Sequence, residues 1–334
     1  MAKQKIALVC GGPSSEHEVS LKSTAAILKN INSDKYEIFV FYLDKQLNSC
    51  FFEVKAGQDL VIPQDRSLYL PFLDGIQKNL TQCDKAVLMG IHGEFVEDGR
   101  LQNILDFFGI KYTGSGMEAS VLAMDKYDSM NLAEKLVGIK MPKTIIFNSQ
   151  NPVDLSGFEF PLVLKPNNAG SSVGVRIIKS KNELEQALEQ IKTEFKFDYW
   201  LIQEYITNAL EISCGCLEKT NGEFIQLPPI EIIPKVSSFF DYSAKYQVGG
   251  SKEITPPQSI SKELSDRVSK LACQIHQVLR CKTYSRSDFL VQGEQVVYLE
   301  TNTLPGMTQT SLLPQEAKAA GISFSELIDF VIEN

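Results

Sequence analysis

The sequence predicts an α/β protein in three parts: a mostly parallel α/β unit followed by two smaller α+β units. At 334 residues the chain is too long for one small core and fits two or three packed units. Short apolar runs alternate with amphipathic segments over the first part, as when strands are linked by crossover helices. Further on, strand-like runs flank short Gly-bearing turns, the mark of antiparallel hairpins.

The first run, KIALVC, ends at Gly11-Gly12-Pro13. Ser15-Glu16-His17-Glu18 has capping-box spacing, so a helix is expected to start there and continue through VSLKSTAAILKNI. YEIFVFYL and KAVLMGI read as strands. Leu101, Ile104, Leu105 and Phe108 recur at helical spacing. Residues 45–80 show no regular pattern. The second part opens near Glu118, with a helix through MDKYDSMNLAEKLVG stopped by Gly138, with Pro142 beyond. FPLVLKP and VRII are strands around the loop NNAGSSVG. Ser180-Lys181-Asn182-Glu183 is a second capping box, after which Leu184, Leu188 and Ile191 share a helix face. YWLIQEYI closes this part. The third begins with EISCGCLEK, a Thr-Asn-Gly turn and EFIQLPPIEII, a hairpin. Residues 236–258 carry Ser, Gly and Pro without periodicity, and a loop that long is usually functional or disordered. A helix is expected over 261–279. SDFLV and VVYLE then flank Gln292-Gly293-Glu294-Gln295 as a second hairpin. The expected units are 1–122, 123–207 and 208–334.

Composition narrows the class. Hydrophobic residues make up 43% and charged residues 22%, ordinary for a soluble enzyme. Net charge is -8, which argues against non-specific nucleic-acid binding and against anionic membranes. The seven cysteines include no Cys-x-x-Cys pair and read as reduced thiols. Cys214 and Cys216 alternate along a strand and share a face. The start has no long apolar stretch before a cleavage site, and no run reaches membrane-spanning length. A cytoplasmic protein is expected.

Three segments carry candidate chemistry. Arg286 and Asp288 are two apart, as are Glu300 and Asn302, so each pair shares a strand face. If the hairpin register matches, three oxygen ligands and a guanidinium converge, a set that suits magnesium sharing its shell with phosphates. By spacing alone a hairpin with scattered charges reads equally well. The turn Asn302-Thr303-Leu304-Pro305-Gly306-Met307-Thr308 tilts the reading to function, because it offers a backbone N–H as an oxyanion donor. Lys165 precedes Asn167-Asn168-Ala169-Gly170-Ser171-Ser172-Val173-Gly174, a small-residue loop that lets backbone approach phosphate. As a bare pattern, a plain flexible hairpin fits it as well. The third segment is Gly11 to Glu16, at a strand's carboxyl end where α/β sheets bind ligands. Glu16 there also suits a helix macrodipole. His92 ends a strand and His276 lies on a helix; both read first as structural, His276 as solvated or satisfied.

In order along the chain, these segments resemble the D-alanine–D-alanine ligase family of the ATP-grasp superfamily. The resemblance is carried by Gly-Gly-x-Ser-x-Glu-x-Glu-Val-Ser at 11–20, Glu97-Asp98-Gly99 with Leu101-Gln102-Asn103, and Tyr112-Thr113-Gly114-Ser115-Gly116. Further on it rests on Met124-Asp125-Lys126, Lys165-Pro166, Gly170 to Gly174, Asp241-Tyr242-x-Ala244-Lys245-Tyr246, and Glu300-x-Asn302-Thr303-x-Pro305-Gly306-Met307-Thr308. It implies an N-terminal parallel α/β domain and two α+β subdomains clamping ATP. Lys126, Lys165 and Lys245 are then expected at the nucleotide phosphates, and Ser171, Gln203, Glu204, Tyr205 and Glu211 also at the nucleotide. Asp288, Glu300 and Asn302 match the ligands of two magnesium ions, with manganese as a substitute.

Glu16 matches the residue that holds the first D-alanine's ammonium. Ser311 and Leu312 match the site of the second carboxylate, with His92 also expected at substrate. Arg286 and the Gly306 N–H correspond to oxyanion donors. Ser171 and Tyr246 join Glu16 in a set that pins residues 236–258 as a lid. The resemblance implies a homodimer with small-molecule partners, serving peptidoglycan synthesis. Tyr246, where D-lactate-using relatives carry histidine, implies an amine nucleophile. Gln203 stands where many relatives have an acid, and the lid segment Gln247 to Lys252 also departs from pattern. Two competing readings are another ATP-grasp ligase, which should not keep Glu16, Tyr246 and Ser311 together, and an inactive nucleotide- or D-amino-acid-binding protein.

Overall fold

The computed structural model describes residues 3–148, 150–151, 153–170, 172–195, 197–235 and 250–334. In the first sheet β1 (Gln4–Gly11) pairs in parallel with β2 (Tyr36–Leu43) and with β5 (Lys85–Val87). Both faces of β1 are covered, so Ile6 to Cys10 are apolar and buried without alternation. The irregular stretch after residue 45 supplies two antiparallel strands, β3 (Asn48–Val54) beside β2 and β4 (Tyr69–Pro71) at the sheet's edge, and a short helix α2 (Phe72–Lys78). The fifth strand is shorter than expected. Its chain leaves the sheet after Val87, where Leu88 N–H donates to Thr113 Oγ1 at 2.9 Å.

Helix α1 (His17–Asn30) begins at the expected place but not by the expected box. Its N-cap is Glu16, which makes no side-chain cap. Ser14 Oγ instead accepts from Glu16 N–H at 3.2 Å and donates to the His92 carbonyl at 2.8 Å. The turn is fastened to the neighbouring loop rather than closed on itself. After α3 (Arg100–Phe107) comes a helix without an expected counterpart, α4 (Met117–Met124), and then α5 (Lys126–Val137), which lies where the helix stopped by Gly138 is expected. Asp125 separates them, its carboxylate capping Asp128 N–H.

The second sheet has the order β6 (Thr144–Asn148), β9 (Tyr199–Glu204), β7 (Leu162–Pro166) and β8 (Arg176–Ile178). The first of these had no clear sequence signal. Helix α6 (Lys181–Glu194) covers one face, with Ser180 capping Glu183 N–H as expected; Glu183 returns to Lys179 N–H rather than to Ser180. The third sheet runs β13-β12-β10-β14-β15. The strands β10 (Leu210–Glu218), β14 (Tyr284–Gln292) and β15 (Gln295–Asn302) are antiparallel, and β10 also pairs with β11 (Phe224–Gln226) and β12 (Ile230–Pro234). Part of the expected 236–258 loop is strand: β13 (Ser251–Ile254) pairs with the open edge of β12. Four residues are too few to show a period. Beyond it, buried Glu231 accepts N–H bonds from Gln258 and Ser259, both at 3.1 Å.

Helix α7 (Lys262–Val278), capped by Ser261, packs with α5 over the third sheet, around Ile212, Val268, Ile275 and Phe289. The C-terminal helices α8 (Leu312–Ala319) and α9 (Phe324–Glu333) return to the first sheet. Leu327, Ile328, Val331 and Ile332 join Ile6, Leu8 and Ile27 in one core.

Candidate functional site

The hairpin β14–β15 has the register that brings the predicted pairs together. Arg286 lies opposite Asn302 and Asp288 opposite Glu300. A register shift follows at once, between Asp288 and Phe289. On the other side β10 places Gly215 opposite Arg286 and Ser213 opposite Asp288. Directly opposed residues share a face, so six positions form a grid of two rows. Arg286 grips Asp288 twice, Nε to Oδ1 and Nη2 to Oδ2, each at 3.0 Å. Ser213 Oγ donates to Asp288 Oδ1 at 2.5 Å. Lys126 Nζ lies 3.2 Å from Glu300 Oε2. Burial alone would favour loss of Arg286's proton, but Asp288, Glu316 and Glu300 more than offset it and keep the guanidinium charged.

A cavity of about 220 Å³ lies between this sheet and the four-stranded one. Lys126, Lys165, Gln203, Glu204, Tyr205 and Glu211 line it, as do Asp288 and Glu300. Aliphatic walls come from both sheets, including Val163, Ile177, Ile232 and Leu290. Gln203 Nε2 donates to Thr144 Oγ1 at 2.9 Å, which commits the donor end of the amide and offers its oxygen as an acceptor. Glu204 N–H is committed to the Lys143 carbonyl at 3.0 Å, so it is not a donor to a ligand. Lys126 Nζ also donates to the Ala169 carbonyl at 2.5 Å, and Asn167 Oδ1 accepts from Tyr127 N–H at 2.9 Å. These bonds tie the small-residue loop to the start of α5. In that loop Ser172 and Gly174 both have positive φ.

A second cavity, of about 530 Å³, lies across Arg286 and Asn302 from the first. Glu16, His92, Glu97, Gly306, Ser311 and Leu312 line it. A Cβ on Gly93 would come within 3.0 Å of Glu16 Oε2, so the glycine admits that carboxylate. His92 joins the two ends of the chain: Nδ1 donates to the Leu304 carbonyl at 3.1 Å and Nε2 accepts from Ser23 Oγ at 2.9 Å. Both ring nitrogens thus have protein partners, and burial lowers the pKa. Gly306 is a glycine because a Cβ would stand 2.9 Å from Ser311 Oγ. That hydroxyl turns back to accept from Thr308 N–H at 3.1 Å and does not cap α8, so the helix's amino end faces the cavity.

Two carboxylates and an amide on neighbouring positions, open to both cavities, fit a hard divalent ion that completes its shell with phosphate oxygens and water. Among the described residues no cluster of three His, Cys, Asp or Glu forms a self-sufficient cage. Ser171, Lys245 and Tyr246 lie outside the described residues. His276 is fully buried and satisfied, with Nδ1 2.7 Å from Ser285 Oγ and Nε2 3.5 Å from Glu218.

Two site residues escaped the sequence reading. Glu97 accepts from Gly93 N–H at 3.1 Å, and its carboxyl is pushed up to about 8 by burial and by Glu16. Glu316, on α8, is pushed up to about 8 by burial against the pull of Arg286. Of the two, only Glu97 belongs to a motif, Glu97-Asp98-Gly99, and that motif implies no role for it.

Family models described as the D-ala D-ala ligase N-terminus and C-terminus match residues 5–115 and 140–333. A D-alanine–D-alanine ligase of Leptospira biflexa is 35% identical, aligned over 100% of this chain and 99% of its own. One from Clostridium beijerinckii is 36% identical, over 99% and 98%. Among solved structures, the VanG D-Ala:D-Ser ligase of Enterococcus faecalis superposes with TM-score 0.81 at 30% identity, covering 99% of each chain. A Bacillus anthracis D-alanine–D-alanine ligase complexed with ATP gives 0.77 at 31%, covering 99% of this chain and 96% of that one.

Proposed function

This chain belongs to the D-alanine–D-alanine ligase family, and we propose that the two cavities meeting at its β14–β15 hairpin are the ATP site and the amino-acid site. The fold is ATP-grasp, and the protein is an ATP-dependent ligase that joins two D-alanine molecules for cell-wall synthesis. The observation that carries the site reading is the register that sets Asp288 against Glu300 and Arg286 against Asn302 between the two cavities.

In this reading adenine lies in the cavity between the sheets. Its amino group donates to Gln203, beside the Tyr205 ring and backbone, with Glu211 at the sugar-facing wall. Lys126 and Lys165 meet the phosphates. Magnesium, for which manganese can substitute, would be held by Asp288, Glu300 and Asn302 and would neutralise phosphate charge. Glu16 holds the ammonium of the first D-alanine, whose carboxylate attacks the γ-phosphorus as ADP departs. Positioning and charge neutralisation suffice for that step. The neutral amine of the second D-alanine then attacks the acyl carbon. Arg286 and the Gly306 N–H stabilise the oxyanion, and phosphate leaves. Ser311, Leu312 and the amino end of α8 receive the second carboxylate. Ser171, Lys245 and Tyr246 keep their implied roles in closing the site over the acyl phosphate and excluding water. A homodimer and a cytoplasmic location rest on kinship with the ligase family, and sedimentation tests the first. Among the described residues no helix is long and apolar enough to cross a membrane.

Likeness to the VanG ligase makes D-serine a second candidate for the attacking amine. The deciding experiment measures phosphate release with ATP and magnesium, and identifies products by mass spectrometry. D-alanine alone should give D-alanyl-D-alanine, and adding D-lactate should give little depsipeptide at neutral pH. Abundant depsipeptide, turnover with L-alanine, or a preference for D-serine in mixtures would each overturn the substrate assignment.

A further inference from the structure

Gln203 is 2% exposed and lines the cavity between the two sheets from strand β9. The two ends of a side-chain amide are nearly equal in size, so shape alone does not decide which end meets a ligand. The neighbours of Gln203 decide it. Thr144 on β6 stands directly opposite Gln203, and such a pair shares a face. Thr144 Oγ1 donates its one hydrogen to the Pro142 carbonyl at 2.7 Å. Toward Gln203 that oxygen keeps only lone pairs, and Gln203 Nε2 donates to it at 2.9 Å. The second neighbour is Met130, fully buried on α5, whose Sδ accepts from the same Nε2 at 3.4 Å. A thioether sulfur has no hydrogen to give.

We propose that Thr144 is a specificity-determining residue: its hydroxyl, oriented by the Pro142 carbonyl, holds the Gln203 amide with only its oxygen toward the base, which selects a 6-aminopurine over a 6-oxopurine.

This use presupposes adenine in the cavity, the reading on which the proposal rests. Adenine offers a donor at position 6, where hypoxanthine and guanine offer a carbonyl oxygen. A glutamine free to turn would serve either, giving its oxygen to the first and its nitrogen to the second. Here turning is opposed twice. It would set Oε1 against the Met130 sulfur, and it would draw the Thr144 hydrogen away from the Pro142 carbonyl. Among the described residues that line the cavity Gln203 is present and Thr144 is not, so Thr144 acts through Gln203. The plainer role is local, a hydroxyl satisfying a carbonyl two residues back at the start of an edge strand. That role bears on stability and leaves the choice of base unchanged.

Two variants separate the roles. Thr144→Val keeps the β-branched shape and loses the hydroxyl, while Thr144→Ser keeps the hydroxyl. The affinities of the full chain for ATP and for inosine triphosphate are measured by titration calorimetry with magnesium and without D-alanine, so that no dipeptide forms. Inosine triphosphate carries a carbonyl oxygen in place of the 6-amino group. Its N1 hydrogen is common to every comparison and cancels in the change of ratio. The parent and Thr144→Ser should prefer ATP alike. Thr144→Val should lower the ATP-over-inosine ratio about tenfold, the weight of one hydrogen bond to the base. Adding Gln203→Glu to Thr144→Val should restore the preference, because a carboxylate accepts whichever way it turns. A parent-like ratio in a Thr144→Val protein that melts as a folded chain would overturn the proposal and leave the nucleotide site standing. So would a Thr144→Ser ratio as low as that of Thr144→Val, a double variant without recovery, or a parent that binds both nucleotides equally. A parent that binds neither would instead remove the nucleotide reading of the cavity.

Discussion

Glu97 lines the second cavity and Glu300 the first, and the two carboxylates have different surroundings. Glu300 has Lys126 at 3.2 Å. Glu97 has one N–H bond, deep burial and Glu16 nearby, and its carboxyl is pushed up to about 8 from an ordinary value of 4.5. A carboxyl raised on folding is destabilising once the unfolded chain ionises. The cost is absent below about pH 4.5, grows up to about pH 8 and is constant above that. Glu97→Gln should therefore gain stability over the parent across that window, by up to roughly 1.4 kcal/mol per pH unit. Urea melts at pH 5 and pH 8 check this, and an equal difference at both would refute it. The contrast also marks what could be read in advance. Arg286, Asp288, Glu300 and Asn302 were legible because strand geometry converts a spacing of two into a shared face. Glu97 and Glu316 were not, since a single acid in a turn or on a helix has no period to reveal what will surround it.

Elements with long periodic runs were legible: β1, β2, α6, α7 and the β14–β15 hairpin lie where patterning puts them. Those decided by neighbours were not. β13 exists because β12 has an open edge, and α4 is a short helix that no periodic run announced. The turn from Asn302 to α8 is a further case, for its shape depends on Ser311 Oγ folding back on Thr308. Gly306→Ala would set a Cβ 2.9 Å from that oxygen. The turn should shift by a few tenths of an ångström and misplace the Gly306 N–H. Kinetics should show kcat reduced about 100- to 1,000-fold, the cost of losing one oxyanion donor. Its melting temperature should stay close to the parent's. A fully active variant would remove the N–H from the mechanism.

At the scale of the molecule, the chain's end is built into its beginning. Ile328 and Ile332 of α9 belong to the core of the first sheet, and His92 reaches the Leu304 carbonyl at 3.1 Å. No local pattern shows this, because amphipathicity says that a helix has a partner and not which one. Ile328→Ala should cost about 2–5 kcal/mol in denaturant unfolding. The folded fraction should keep its specific activity, since the site lies elsewhere. The central claim is that two strands present one oxygen cage to the nucleotide's phosphates. Phosphate release by Glu300→Gln, at saturating ATP, magnesium and D-alanine, tests it most directly. Turnover at least about a hundredfold lower, in a protein that melts like the parent, is the predicted result. Turnover near the parent's in a folded variant would contradict it.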